Sequence, residues 1–288
     1  MHQNNSPLYQ SFLKSPHRSI KHESYFSVYD KLLSKYIDQD ITFVEIGILD
    51  GGSLFMWRDF LGDKARIIGI EINPVAKKWE EHGFEIFIGS QSNPVFWKNF
   101  YETVGSIDVL IDDGGHTYKQ QIVTVEEGLE NINDGGMIVV EDTYTSYQKE
   151  YGYPSKYNFL SYASNLVDGM NLRTPKIGYK GIPNNNIEQV SFFESIVAID
   201  INNSDASNFL AAGLDNKSQN SAQAISMRYE DNSKISGLNR FLAYFLFLRE
   251  IPLLGSFFAS TGIFALEQSK ILVNKLDNRK LKRYFRYK

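Results

Sequence analysis

Short apolar segments alternate with helical segments between residues 41 and 140, and this alternation constrains the fold more than any other feature of the sequence. The apolar segments are apolar on both faces, which is typical of strands in a parallel sheet covered by helices on both sides. The predicted strands are 41–46, 66–71, 84–88, 107–111 and 136–140. The predicted helices between them are 53–61, 74–82, 93–101 and 118–131. We therefore expect a doubly wound, mostly parallel α/β sheet.

The segments around this core predict how the rest of the chain is organised. Residues 1–40 form an N-terminal lead-in that is loose and polar at first and then an amphipathic helix over 24–37. Residues 41–201 form the Rossmann-like domain. Its insertion at 143–189 is rich in Tyr, Asn, Gly and Lys and predicts a lid or substrate-binding segment. The β character of 190–201 predicts two closing strands or a hairpin at the sheet edge.

The C-terminal part of the sequence has a different texture. Residues 202–234 are rich in Asn, Ser and Ala and predict a linker. Residues 235–288 predict an apolar helical tail whose end, NRKLKRYFRYK, is strongly basic. Two interpretations stay open. The tail is a peripheral membrane anchor at the inner face of a membrane, or it is an appendage that packs on the domain or forms a homo-oligomer interface, which we favour.

The composition excludes several classes of protein. The chain has no cysteine, which excludes disulfides, thiolate metal sites and cysteine nucleophiles. Its formal net charge is -4, so no global basic field attracts nucleic acid. The N-terminus lacks the apolar core of a signal peptide, and the sequence has no apolar run of about 18 residues or more. We expect a cytoplasmic protein that has no nucleic-acid partner.

Glycines and a carboxylate at the first two strand ends predict a nucleotide-like ligand. Gly47 and Gly51 let the backbone turn tightly and approach a ligand, and the helix that follows presents free amides. The spacing is not GxGxxG, which argues against an NAD-type oxidoreductase on the same fold. Glu71 ends the second strand, where a carboxylate accepts hydrogen bonds from ribose hydroxyls. The polar run 89–92 after the third strand can line an adenine pocket.

Carboxylates and a histidine follow the fourth and fifth strands. Asp112, Asp113 and His116 follow one strand, and Glu141 and Asp142 follow the other. Four carboxylates at one sheet edge repel each other unless a cation lies among them. Oxygen ligands favour Mg²⁺, Mn²⁺ or Ca²⁺ over softer metals. Histidine changes charge near neutrality, so His116 suits proton abstraction.

These stretches together resemble a known family. VEIGILDGGS, GIEINP, GSQSN, IDDGGHTY and VVEDTYTSY are similar to motifs of class I S-adenosylmethionine-dependent methyltransferases. Within that class the chain resembles the metal-dependent sugar O-methyltransferases of the macrocin and mycinamicin type and their bacterial glycan relatives. HESYFSVYDKLL looks like that family's N-terminal motif, and VSFFESIVAI looks like its closing strands. The resemblance spans about residues 20–200.

The resemblance implies cofactors and residue roles. The cofactors would be S-adenosylmethionine and a divalent ion, Mg²⁺ or Mn²⁺. Asp113, Glu141 and Asp142 would hold the ion, and His116 would be the general base. The residues that would surround S-adenosylmethionine are Glu45, Gly47, Gly51, Ser53, Glu71, Gln91, Ser92 and Asp112. Tyrosine offers a flat apolar face and a hydroxyl, so the candidates for the wall of a carbohydrate cleft are Tyr25, Tyr144 and Tyr147, with Tyr151 and Tyr153.

The predicted function is methylation of a sugar hydroxyl in a glycan or a glycosylated natural product. The ion would lower the pKa of the hydroxyl, His116 would take its proton, and the protein would align the reacting atoms. Other functions stay open: methylation of a catechol-like diol, an NAD-type oxidoreductase, and a non-catalytic S-adenosylmethionine-binding or membrane-docked assembly protein. The carboxylates and His116 argue against the last, and the insertion at 143–189 favours a large polar acceptor.

Overall fold

The computed structural model describes residues 5–152, 154–173 and 183–202, and the positions 237, 264, 268–269, 271–276, 278–279 and 281. The chain separates into two compact units, 1–211 and 212–288. The described positions of the second unit are helical. The predicted linker 202–234 lies outside the described residues apart from Asn202. No helix among the described residues has the length and apolar character needed to cross a membrane.

The first unit consists of a seven-stranded sheet and the helices that cover it. The strands are β1 (Thr42–Ile46), β2 (Arg66–Glu71), β3 (Glu85–Ile88), β4 (Ile107–Asp112), β5 (Ile132–Val140), β6 (Ile187–Phe193) and β7 (Ile196–Ile201). The α-helices are α1 (Pro7–Lys14), α2 (Glu23–Leu33), α3 (Gly52–Leu61), α4 (Pro94–Val104), α5 (Tyr118–Gly128) and α6 (Phe159–Asn171). The 3₁₀ helices cover Ser34–Tyr36, Pro74–His82, Thr143–Tyr147 and Lys149–Tyr151.

The strand order is β3-β2-β1-β4-β5-β7-β6. Strands β1 to β5 pair in parallel, and β7 pairs antiparallel with both β5 and β6. The order reverses direction at β1, where helices cross to opposite faces, which is the doubly wound arrangement. The predicted fold class is confirmed, and so is the predicted hairpin at the sheet edge.

Each face of the sheet has its own hydrophobic core, because alternate strand residues point to opposite sides. Phe43 of β1 faces α1, α2 and α3, where Trp57 is fully buried. The next residue, Val44, faces α4, α5 and α6, where Trp97 is fully buried. Burying a large apolar side chain contributes about 1.5–3 kcal/mol. Two such layers hold the strands in the register that positions their C-terminal ends.

The N-terminal lead-in departs from the prediction, because α1 forms within residues that the sequence predicts to be loose. The Ser6 hydroxyl accepts a hydrogen bond from the amide of Tyr9 at 3.1 Å and so caps α1. Leu8 is fully buried, and its amide donates to the Asp30 carboxylate at 3.0 Å. A two-turn helix is marginal by itself, so tertiary packing decides its formation.

The glycine turn after β1 brings two strand ends into close contact. Gly47 has a φ of 83°, and a Cβ at this position would overlap the carbonyl of Asp113. Only glycine fits this approach, since it has no Cβ and adopts positive φ at little cost. The turn therefore fixes the separation between the ends of β1 and β4.

We predict that Gly47→Ala destabilises the protein far more than Gly83→Ala. Both glycines have a φ of 83°, but a Cβ at Gly83 would meet nothing within 4 Å. Gly83→Ala should cost about 1 kcal/mol for the left-handed backbone alone. Gly47→Ala should cost about 2 kcal/mol more for the overlap with the Asp113 backbone. Urea unfolding measures both, and equal losses would show that the contact has no energetic weight.

Candidate active site

The register of three neighbouring strands places the polar residues side by side. Ile46 at the end of β1 pairs with Asp112 of β4, and Asp112 pairs with Val140 of β5. The residues that follow these three strands therefore lie side by side at the carboxyl edge of the sheet. In open α/β sheets, this carboxyl edge is where ligands bind.

A cavity of ≈ 270 Å³ lies at this edge, above β1, β2, β3 and β4. Its walls are Ile46, Gly47, Leu49, Ile70, Glu71, Ile72, Gly89, Ser90, Gln91, Asp113, Gly114, Gly115 and Gln120. Three predicted cofactor residues, Gly47, Glu71 and Gln91, are among them. Oε1 of Glu71 accepts hydrogen bonds from the amides of Ile72 and Asn73 at 2.9 and 3.1 Å, which fixes the carboxylate at the cavity wall.

The other predicted cofactor residues support these walls. Gly51 is the N-cap of α3 at a φ of 79°. The Ser53 hydroxyl donates to the buried carboxylate of Glu45 at 2.5 Å. Ser92 is close to Ser90, with 3.1 Å between their hydroxyls. The structure places these residues beside or behind the turns that contact the cavity, and their role in cofactor binding stays a prediction.

Asp112 forms a buried clamp with Gln91. Nε2 of Gln91 donates to both carboxylate oxygens of Asp112 at 2.8 and 2.9 Å, and its Oε1 accepts from the amide of Gly115 at 3.0 Å. Asp112 also accepts from the amide of Gly114 at 3.1 Å. Burial raises the pKa of Asp112, and the hydrogen bonds from Gln91 and Gly114 oppose this increase. The clamp therefore shapes the loop that carries Asp113 and His116.

Lys21 lies at the centre of the carboxylate cluster, which sequence reasoning did not find. Its Nζ is 2.6 Å from Oδ2 of Asp113, 2.6 Å from Oε1 of Glu141 and 3.5 Å from Oε1 of Glu45. Only 2% of its side chain is exposed. Burial and, after it, the charge of Asp113 raise the pKa of Glu141, whereas Lys21 lowers it, and the net result is a pKa of about 8.

Two tyrosines of α2 donate hydrogen bonds to carboxylates of the same cluster. The Tyr29 hydroxyl donates to Glu141, and the Tyr25 hydroxyl donates to Asp142 at 2.5 Å. Tyr25 and Tyr29 are four residues apart and so lie on one face of α2, and Lys21 lies just before the first turn of that helix. The spacing of the two tyrosines in ESYFSVY indicates that they share a helical face, but it does not indicate which acidic residues they contact.

Asp113, His116 and Asp142 form a group that fits a divalent ion. One ligand atom from each lies within 4.8 Å of the others. Nε2 of His116 is 3.4 Å from Asp142 and 3.9 Å from Asp113. Among the described residues, Nδ1 of His116 and Oε1 of Glu45 are buried atoms without a hydrogen-bond partner. The two carboxylates suit Mg²⁺ or Mn²⁺, whereas an imidazole ligand suits softer ions such as Zn²⁺ or Fe²⁺.

Glu141, which the sequence predicts as the third ligand of the ion, does not belong to this group. Oε1 of Glu141 receives hydrogen bonds from Lys21 and Tyr29, and Glu141 is not in the group of three. The assignments of Glu141 to the ion and of His116 to proton transfer both stay predictions.

Backbone strain concentrates at the same edge. His116 and Asp142 have φ values of 57° and 54°, and Leu49 in the cavity wall has a φ of 44°. Residues other than glycine adopt positive φ at a cost of about 1–3 kcal/mol, and such residues cluster at functional sites. The strain therefore points to a binding or catalytic role for this edge.

The predicted sugar-binding tyrosines fall in different environments. Tyr25 is 2% exposed, so its hydroxyl donates a hydrogen bond to Asp142 and its ring does not line an open cleft. The ring of Tyr144 lies 6.0 Å from that of His22, and the ring of Tyr151 lies 6.3 Å from that of His116. Tyr147 is largely exposed. Tyr153 lies outside the described residues.

Comparisons with known proteins agree with this geometry. Residues 44–143 match a family described as a methyltransferase domain. The 8-demethyl-8-alpha-L-rhamnosyl tetracenomycin-C 2'-O-methyltransferase of Streptomyces olivaceus is 28% identical over 158 residues, which are 51% of this chain and 41% of that protein. The demethylmacrocin O-methyltransferase of Streptomyces fradiae is 28% identical over 131 residues, or 43% and 33% of the two chains.

A solved structure shares the fold. The MycE methyltransferase from the mycinamycin biosynthetic pathway, in complex with Mg and SAH, superposes with a TM-score of 0.61 at 20% identity. The alignment covers 79% of this chain and 59% of that one. The chain spans less than half the length of the two O-methyltransferases.

Residues 44–143 match a methyltransferase domain, and the fold is that of class I methyltransferases. Within that class, the predicted resemblance to the macrocin and mycinamicin type of sugar O-methyltransferases is confirmed.

We predict that the Gln91–Asp112 clamp contributes measurably to stability. Gln91→Leu should cost about 2 kcal/mol, because it leaves a buried carboxylate without its donor. In an Asp112→Asn background, the same change should cost at least about 1 kcal/mol less, because losing a hydrogen-bond donor destabilises a buried neutral amide less than a buried carboxylate. A double-mutant cycle in urea measures the difference. Additive losses would mean that the two side chains act independently.

Proposed function

We propose that this chain is an S-adenosylmethionine-dependent O-methyltransferase that uses a divalent ion to activate a hydroxyl of a sugar. One observation carries the proposal. Asp113 both lines the cavity with the glycine turn and belongs to the group with His116 and Asp142. A methyl donor in the cavity and an acceptor at the acidic group would therefore meet at Asp113.

The cavity residues bind and orient the donor in this proposal. The carboxylate of Glu71 accepts hydrogen bonds from ribose hydroxyls, and the backbone at Gly47 permits close approach of the ligand. S-adenosylmethionine, when bound, supplies an electrophilic methyl group. The protein's task is to hold the acceptor oxygen in line with that group, which lowers the barrier by alignment.

The acidic group binds and deprotonates the acceptor. Asp113 and Asp142 would hold the ion, with Glu141 or His116 as the third ligand. A divalent ion, when bound, lowers the pKa of a hydroxyl that coordinates it. Where Glu141 is the third ligand, Nε2 of His116 accepts the proton, and the neighbouring carboxylate of Asp142, 3.4 Å away, stabilises the imidazolium that forms.

A sugar is the acceptor that these surroundings favour. His22, Tyr144 and Tyr151 lie around the acidic group and offer flat faces with polar edges. The name of the Streptomyces olivaceus O-methyltransferase above describes a rhamnosyl-bearing natural product as its substrate. We propose a glycan or a glycosylated natural product as the acceptor.

We predict micromolar binding of S-adenosylhomocysteine, measured by calorimetric titration. Glu71→Ala should weaken this binding at least tenfold, because hydrogen bonds to a charged group contribute about 1.5–3 kcal/mol. The control is Glu81→Ala, an exposed position on the neighbouring 3₁₀ helix. No binding of S-adenosylhomocysteine together with measurable binding of NAD would revive the oxidoreductase alternative.

We predict that Asp142→Asn abolishes Mn²⁺ binding and leaves S-adenosylhomocysteine binding within about threefold, because Asp142 belongs to the acidic group and not to the cavity wall. Asp38→Asn is the matched control, since Asp38 has a similar φ of 57° and is not in the acidic group. Electron paramagnetic resonance of free Mn²⁺ measures the binding. Full Mn²⁺ binding by Asp142→Asn would contradict the assignment.

His116→Gln separates the two roles of His116. If His116 is the base, the variant binds Mn²⁺ as the unmodified protein does and loses methyl transfer. If Mn²⁺ affinity falls in parallel with activity, His116 is the third ligand.

A further inference from the structure

The side chain of Lys21 reaches the carboxylate cluster from the segment between α1 and α2. Its ammonium lies within 2.6 Å of Asp113 and Glu141 and 3.5 Å from Glu45. These three acidic residues come from the ends of β1, β4 and β5. One cation from the N-terminal segment therefore contacts three adjacent strands.

This burial is stable only if Lys21 is charged and paired. An unpaired buried charge costs several kcal/mol, and a pair with good geometry offsets that cost. Lys21 thus balances carboxylates that would otherwise repel one another.

The partners of Lys21 overlap with the predicted ligands of the divalent ion. Asp113 directs Oδ2 to Lys21, while its Oδ1 lies 3.9 Å from His116. Glu141 directs Oε1 to Lys21 and Tyr29. A divalent ion that takes these oxygens meets an ammonium already in contact with them, and like charges at such distances repel strongly.

We propose that Lys21 is the resident cation of the metal-free site and competes with the divalent ion for Asp113 and Glu141. This inference rests on the divalent ion of the proposed function. Metal binding is then an exchange of cations, in which Lys21 leaves the carboxylates as the ion binds. The exchange weakens metal affinity, keeps the acidic edge folded without metal, and couples the segment between α1 and α2 to the state of the site.

Lys21→Met tests the competition, because methionine keeps an unbranched side chain and removes the charge. We expect Mn²⁺ to bind Lys21→Met at least tenfold more tightly than the unmodified protein, measured by electron paramagnetic resonance. Without metal, the variant should unfold at a lower temperature, and saturating Mn²⁺ should close the gap. Lys35→Met, which removes a half-exposed lysine 3.8 Å from Asp200, should change neither quantity. Equal or weaker Mn²⁺ affinity in Lys21→Met would overturn the proposal.

Amine labelling of the unmodified protein gives an answer even if Lys21→Met does not fold. Acetylation by an N-hydroxysuccinimide ester, read by mass spectrometry, should spare Lys21 in metal-free protein and modify it at least tenfold faster at saturating Mn²⁺. Protection that persists at saturating Mn²⁺ would show a permanent structural ion pair and overturn the exchange.

Separate titrations distinguish the failure of this inference from the failure of the proposed function. Absence of Mn²⁺ binding in every variant would overturn both the exchange and the metal assignment. S-adenosylhomocysteine binding tests the methyltransferase assignment independently of both.

Discussion

Mutual repulsion of carboxylates at the ends of β1, β4 and β5 is the constraint on which the rest of the site depends. The oxygens of Asp113 and Glu141 share the ammonium of Lys21 and so lie close together. Two unit charges about 5 Å apart repel by about 3 kcal/mol at an effective dielectric constant of about 20. A cation within this edge, here the ammonium of Lys21, offsets the repulsion.

The N-terminal segment is organised around that requirement. Lys21 supplies the charge, and Tyr25 and Tyr29 on the same helical face donate hydrogen bonds to Asp142 and Glu141. The aromatic rings of both tyrosines pack in the hydrophobic core between the sheet and helices α1, α2 and α3. Helix α2 therefore has a structural and an electrostatic function at once, and α1 packs against it and against α3.

The sequence predicts the sheet well because its signal is local. Strand β2 begins and ends as predicted, and the polar ends of β1, β4 and β5 meet as expected, since parallel strands share one carboxyl edge. Lys21 and α1 were missed because their conformations depend on distant partners. Leu8 is buried by tertiary contacts, and nothing near Lys21 in the sequence indicates three carboxylates from other strands.

Asp113 is the point where the two halves of the proposed chemistry join. It lines the cavity, contacts Lys21 through one oxygen and lies near His116 through the other. In the proposed function, a change in which cation holds Asp113 would alter the wall of the cavity as well as the acidic group. A ligand that favours one position of Asp113 would shift the population toward that position.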